Sequence, residues 1–64
     1  MGKVNINTAD KTALMTLPGI GASKAEDIIQ YRKENGSFQK IEDIKKISGI
    51  KDVAFNKIKE LICV

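Results

Sequence analysis

The sequence has no histidine and no tryptophan, and its single cysteine, Cys63, stands next to the last residue. One thiol cannot close an internal disulfide, and without histidine the usual zinc sets cannot be assembled. No metal or cofactor is therefore expected. Prenylation needs a cysteine fourth from the end, whereas only Val64 follows Cys63. Met1-Gly2 opens like an N-myristoylation signal, but Ile6 fills the place where Ser or Thr is required. No apolar run approaches the ~20 residues of a membrane span, and no signal peptide is visible. The segment is thus expected to be soluble and to make no membrane contact itself. Aromatics amount to only 5%, so the core has to be aliphatic, and ten isoleucines supply most of it.

What remains is a chain of 64 residues, enough for one small domain over residues 1–64. A domain of that size buries roughly 60% of its unfolded surface. Eleven Lys and Arg against eight acids leave a net charge of +3. So small an excess fits ordinary solubilising charge better than it fits an anionic partner.

The chain repeats itself at a spacing of 30 residues. In that register Leu14 meets Ile44, Leu17 meets Ile47, Gly19 meets Gly49, Ile20 meets Ile50 and Ile28 meets Ile58. Each copy reads as helix, tight turn, helix, with a first hairpin over about residues 10–35 and a second over about 40–62. Asn7, Thr8 and Asp10 compete to cap the first helix, which carries Ala13, Leu14 and Leu17. Pro18-Gly19 ends it, because the residue before proline is pushed out of the α region and glycine reaches positive φ. A second helix is predicted over Ala22 to Asn35, with Gly36 as its stop. Phe38 should plug the core between the copies. The second copy predicts a short helix over about Ile41 to Ile47 and a last helix from Asp52 to Ile62, burying Phe55, Ile58 and Leu61 or Ile62. Val4-Asn5-Ile6 is too short to build a sheet alone. The expected fold is all-α, four to five short helices with pseudo-two-fold symmetry.

The turn before the long helix raises the functional question. A helix start leaves amide N–H groups without intrahelical partners and carries partial positive charge. Gly19, Ile20 and Gly21 offer no side-chain oxygen to cap them, and the glycines remove the Cβ that would hold an anion off. That is the make-up of a phosphate site. Ile20 should point inward and pin the turn, Ser23 can donate a hydroxyl, and Lys24 can reach back to the anion. A single Pro-Gly turn serves equally to let two helices pack at a tight angle. Two such turns on one face would hold two phosphates at a fixed separation, as duplex DNA presents them. The dinucleotide fingerprint fails, since residue 24 is lysine and no strand precedes the turn, and GxxxxGK[ST] is absent.

The stretch "LPGIGASKAEDII" resembles the helix-hairpin-helix motif, and "ISGIKDVAFNKI" resembles a divergent second copy. "VNINTADKTALMTLPGIG" and "YRKENGSFQKIEDIKKISGI" are similar to the C-terminal DNA-binding domain of the ComEA family of competence DNA receptors. The resemblance runs from Val4 to about Leu61. It implies a tandem helix-hairpin-helix fold that binds double-stranded DNA irrespective of sequence, hairpin amides on phosphates across the minor groove. Carried over by position, Gly19, Ile20, Gly21 and Lys24 form the first contact set and Gly49, Ile50 and Lys51 the second. In that family the domain serves DNA uptake in transformation. It sits outside the cytoplasmic membrane, on its extracellular face or in the periplasm, tethered by an N-terminal segment that is not seen here.

The second copy departs from the first. Lys51 stands where copy one has Gly21, Ala54 where it has Lys24, and Asp52 where it has Ala22. A carboxylate at a helix start competes for the amides a phosphate would use. Hairpin two is expected to bind more weakly, with Lys45, Lys46, Lys51 and Lys57 compensating. No acid is visibly paired with a base, and a core this small rarely encloses the ~300 Å³ of a typical active site. An enzyme is not expected. The competing readings are a protein-interaction module, or a scaffold piece of a DNA-processing protein. Weak self-association fits the former.

Overall fold

The computed structural model describes residues 2–64; Met1, with which the myristoylation comparison begins, lies outside them. The chain runs β1 (Val4–Asn5), α1 (Lys11–Leu14), α2 (Ala22–Asn35), a 3₁₀ helix (Ile41–Lys46), α3 (Asp52–Ile58) and β2 (Ile62–Cys63). It is mostly helical and is built as two hairpins.

Asp10 wins the competition to cap α1, its carboxylate accepting from the Ala13 N–H at 2.8 Å. Asn5 and Asn7 do other work. The Asn5 side chain accepts from the Asn7 N–H, closing a turn after β1. The Asn7 amide reaches across the fold, donating to the Phe38 carbonyl at 3.1 Å and accepting from the Phe38 N–H at 2.7 Å. Phe38 is buried as expected, its ring stacked on Tyr31 at 5.0 Å between centroids. Arg32 donates to the Ile6 carbonyl at 2.9 Å. The opening segment is thereby tied to both α2 and the connector.

The core is one cluster running through both copies, and it keeps the repeat register. Leu14 and Ile44, Leu17 and Ile47, Ile20 and Ile50, Ala25 and Phe55, and Ile28 and Ile58 are all buried. No charged or polar residue is buried among the described residues, so cohesion is left to apolar contact.

Four features differ from the sequence expectation, each for a physical reason. The first helix ends at Leu14, before Pro18-Gly19 can stop it, because the Thr16 and Leu17 N–H groups tighten onto the Ala13 and Leu14 carbonyls and leave Leu17 beyond the helix. The Ile41 helix is 3₁₀ and ends at Lys46. Ile41, Ile44 and Ile47 are three apart, and three residues per turn stacks them on one line. The last helix stops at Ile58 instead of continuing to Ile62. The Leu61 N–H tightens onto the Ile58 carbonyl, after which the chain extends. Ile62 and Cys63 then pair in parallel with Val4 and Asn5, through Val4 N–H to Leu61 O at 2.8 Å and Ile6 N–H to Cys63 O at 2.9 Å. That choice buries Ile62 and leaves Leu61 exposed. The helical fold thus carries a two-stranded clasp joining its ends.

The clasp and the Asn7 bridge should both matter to stability. Ile6→Ala removes a fully buried side chain and should cost about 2–4 kcal/mol. Asn7→Ala leaves a Phe38 N–H and carbonyl without partners and should cost about 1–3 kcal/mol. Urea titrations followed by circular dichroism measure both.

Candidate nucleic-acid interface

The two turns are built alike, hydrogen bond for hydrogen bond. Leu17 N–H donates to Leu14 O and Ile47 N–H to Ile44 O, both at 3.1 Å. Ile20 N–H donates to Leu17 O at 3.1 Å and Ile50 N–H to Ile47 O at 3.0 Å. Gly19 and Gly49 have φ of 81° and 89°, a left-handed conformation that L side chains resist. Ile20 turns its side chain into the core, as expected, and Ile50 does the same.

Beyond the isoleucines each chain extends for one residue and enters a helix. Gly21 (φ −92°, ψ −171°) caps α2 and Lys51 (φ −113°, ψ −160°) caps α3, neither with a side-chain hydrogen bond to the helix-start amides. The first helical bonds are Ala25 N–H to Gly21 O and Phe55 N–H to Lys51 O. Before them, the N–H groups of Gly21 through Lys24, and of Lys51 through Ala54, have no acceptor among the described residues. These donors are open in both copies.

Gly21 differs in kind from Gly19. Its φ is one that any residue adopts, and a Cβ built on it meets nothing within 4 Å. Nothing inside the protein calls for glycine there, so the free space faces outward.

The two turns border one open groove of about 480 Å³, whose walls include Gly19, Lys24, Gly49, Lys51 and Lys57. Pro18, Asp52, Val53 and Ala54 complete the walls. This volume exceeds that of a small active site, yet it is a cleft on the surface, not an enclosed cavity. Lys24 does not curl back over its own turn. Its side chain crosses to the other hairpin, where a Cβ on Gly49 would lie 3.3 Å from Lys24 Cε. Ser23 is exposed on the first turn of α2, outside the groove walls. Lys46 lies elsewhere, in a second hollow with Asp27 and Glu34, 3.7 Å from Asp43.

The charges of the second hairpin are arranged differently from expectation. The Asp52 carboxylate does not take the helix-start amides; it pairs with Lys45 Nζ at 3.3 Å. Lys45 is therefore engaged rather than free, and its ammonium also sits 5.1 Å from the Phe55 ring centroid. Lys51 Nζ donates to the Lys45 carbonyl at 3.2 Å. Groove residues Asp52, Val53 and Ala54 were not foreseen as walls, because only packing of the two hairpins side by side brings α3's first turn opposite Lys24. Among the described residues no group of acids and cysteine is placed to hold a metal ion. Nor is any helix among the described residues long and apolar enough to cross a membrane.

The family model described as the helix-hairpin-helix motif matches residues 1–63. Over 61 residues the chain is 59% identical to ComE operon protein 1 of Bacillus subtilis, covering 95% of this chain and 30% of that protein. It is 42% identical over 62 residues to Endonuclease/exonuclease/phosphatase family domain-containing protein 1 of Homo sapiens, covering 97% of this chain and 11% of that protein. An uncharacterized protein of Haemophilus influenzae is 41% identical over 61 residues, 54% of its own length. The chain thus spans less than a third of the first two relatives.

The two glycines of the first turn should respond oppositely to substitution. Gly19→Ala forces a Cβ into the left-handed region and should cost about 1–2 kcal/mol. Gly21→Asp supplies the missing cap in open space and should stabilise by about 0.5–1.5 kcal/mol. Thermal melts of the two variants test the pair.

Proposed function

The chain belongs to the helix-hairpin-helix family, ComEA-like in form, and from that premise we propose that it binds double-stranded DNA through the backbone phosphates, irrespective of base sequence. The observation that carries this reading is the pair of matching turns with open amides beside one lysine-lined groove. Backbone donors and a helix dipole favour a phosphate oxygen at each turn. Lys24, Lys51 and Lys57 add long-range attraction. Amides spent on phosphate oxygens carry no base information, so sequence selectivity is not part of the design. Both turns rest on a shared core, which fixes the separation of the phosphates they hold.

In the whole protein this module serves as the DNA receptor domain of a DNA-uptake apparatus, outside the cytoplasmic membrane. The likeness to ComE operon protein 1, whose name places it in the ComE operon, supports that assignment. A second reading is a positioning module within a DNA-processing protein. The 42% identity to a segment forming 11% of an endonuclease/exonuclease/phosphatase family protein favours it, since the same fold there sits beside much further chain. That protein's named activity is not carried over, because the shared segment is so small a part of it; the chain is read as a binding module without catalysis. A dimerising interaction module would instead show concentration-dependent association and no salt-sensitive affinity for DNA.

Binding should weaken linearly in log–log form with salt, at a slope of roughly −3 to −6 for a handful of phosphate contacts. Two duplexes of unrelated sequence should bind alike. Gly21→Asp, though better folded, should lose about tenfold or more for both, as its carboxylate takes the amides and repels phosphate. Unchanged affinity in the folded variant would refute the reading. Lys24→Ala should cost less and flatten the salt slope by about one. Fluorescence anisotropy with labelled duplexes at several salt concentrations measures all of these.

A further inference from the structure

Hairpin two brings a carboxylate to the groove, Asp52, at the position where the first copy of the repeat has Ala22. Asp52 lines the groove beside Lys51 and Lys57, and its side chain is 86% exposed. Left free, it could turn toward an incoming phosphate and repel it. Lys45 stands behind it, on the 3₁₀ helix, outside the groove walls. Its ammonium is 3.3 Å from the Asp52 carboxylate and 5.1 Å from the ring centroid of buried Phe55. Its own carbonyl takes the Lys51 ammonium at 3.2 Å. The backbone and side chain of one residue thus engage both charged residues at the start of α3. Copy one has no counterpart of this arrangement, because Met15 occupies the place of Lys45 and Gly21 the place of Lys51.

We infer that Lys45 is a positioning residue for phosphate binding at hairpin two, pairing the Asp52 carboxylate at the groove wall so that it does not turn toward a phosphate, instead of touching DNA itself. The inference rests on the phosphate-binding reading above. The half-exposed Lys45 side chain is restrained by the aromatic ring beneath it, which limits the freedom that usually weakens a surface pair. A carboxylate so held is neutralised without its charge being deleted. Lys45 therefore owes its effect on DNA to Asp52, and the effect should vanish when Asp52 has no charge to hold.

A double-mutant cycle tests this on duplex DNA at low salt. Lys45→Met should weaken binding by about two- to fivefold with Asp52 present. In the Asp52→Asn background the same substitution should change affinity by much less. Lys45→Arg should restore most of the loss, since a guanidinium can make the same pair. Circular dichroism confirms that each variant is folded; if Lys45→Met is not, Lys45→Gln takes its place in the cycle. An equal loss in both backgrounds would mean that Lys45 acts as an independent positive charge, and no loss in either would mean that the pair has no bearing on binding. Each result overturns the inference while leaving the DNA-binding reading intact. Absence of DNA binding by the unsubstituted chain would overturn both together.

Discussion

Burial of Ile20 and Ile50 is the constraint on which the working surface depends. Each isoleucine lies between a glycine at positive φ and an extended residue that opens a helix. Sinking the side chain draws the turn tight against the core, and the backbone on either side is then forced outward. The open amides that follow are a consequence of this anchoring. Two anchors in a single hydrophobic cluster hold two such turns in fixed relation. A domain this small has little core to spare, and it spends a large part of it on the underside of its interface.

The pseudo-symmetry is strict in the backbone and loose at the surface. Turn hydrogen bonds match within about 0.1 Å and glycine φ values within 8°, because the same steric problem has the same solution in each copy. Outward residues face no such demand and have diverged. Copy one presents a bare Gly21 and sends Lys24 across to the neighbouring hairpin. Copy two presents Lys51 and Asp52, both engaged by Lys45. The groove therefore draws its charge from both copies but by different means, and the fold tolerates this since none of these side chains is needed for packing.

The ends of the chain are secured by contacts of another kind. A parallel pairing of two residues with two would be negligible alone. Here it is supported by Ile6 and Ile62 beneath it and by Arg32 and Asn7 on its flank. Asn7, which read as a rival helix cap, serves instead to bind the connector that separates the two hairpins.

Much was legible in the sequence because it is local. Glycine before isoleucine in each turn, the boundaries of α2, the inward face of each helix and the uncapped start of α2 all follow from residue chemistry over a few positions, whereas Asp52 reads as a competitor for the amides at the start of α3 and is drawn off them only by Lys45. Ser23 and Lys46 belonged to the same reading by charge and spacing, yet they lie away from the groove walls. Three-residue isoleucine spacing also held the 3₁₀ helix in plain view, although an α-helix of like length shows a similar stripe. What only the tertiary structure decided is long-range. The pairing of Val4–Asn5 with Ile62–Cys63 joins segments at opposite ends of the chain, and no local pattern distinguishes burying Ile62 from burying Leu61. The reach of Lys24 to Gly49 and the hold of Lys45 on Asp52 likewise depend on how two hairpins pack, since side chains settle where neighbouring charge and space allow. Sequence by itself determined the two turns and the exposed donors of the first; tertiary packing kept Asp52 off the donors of the second, set the turns side by side and chose which charges face the space between them.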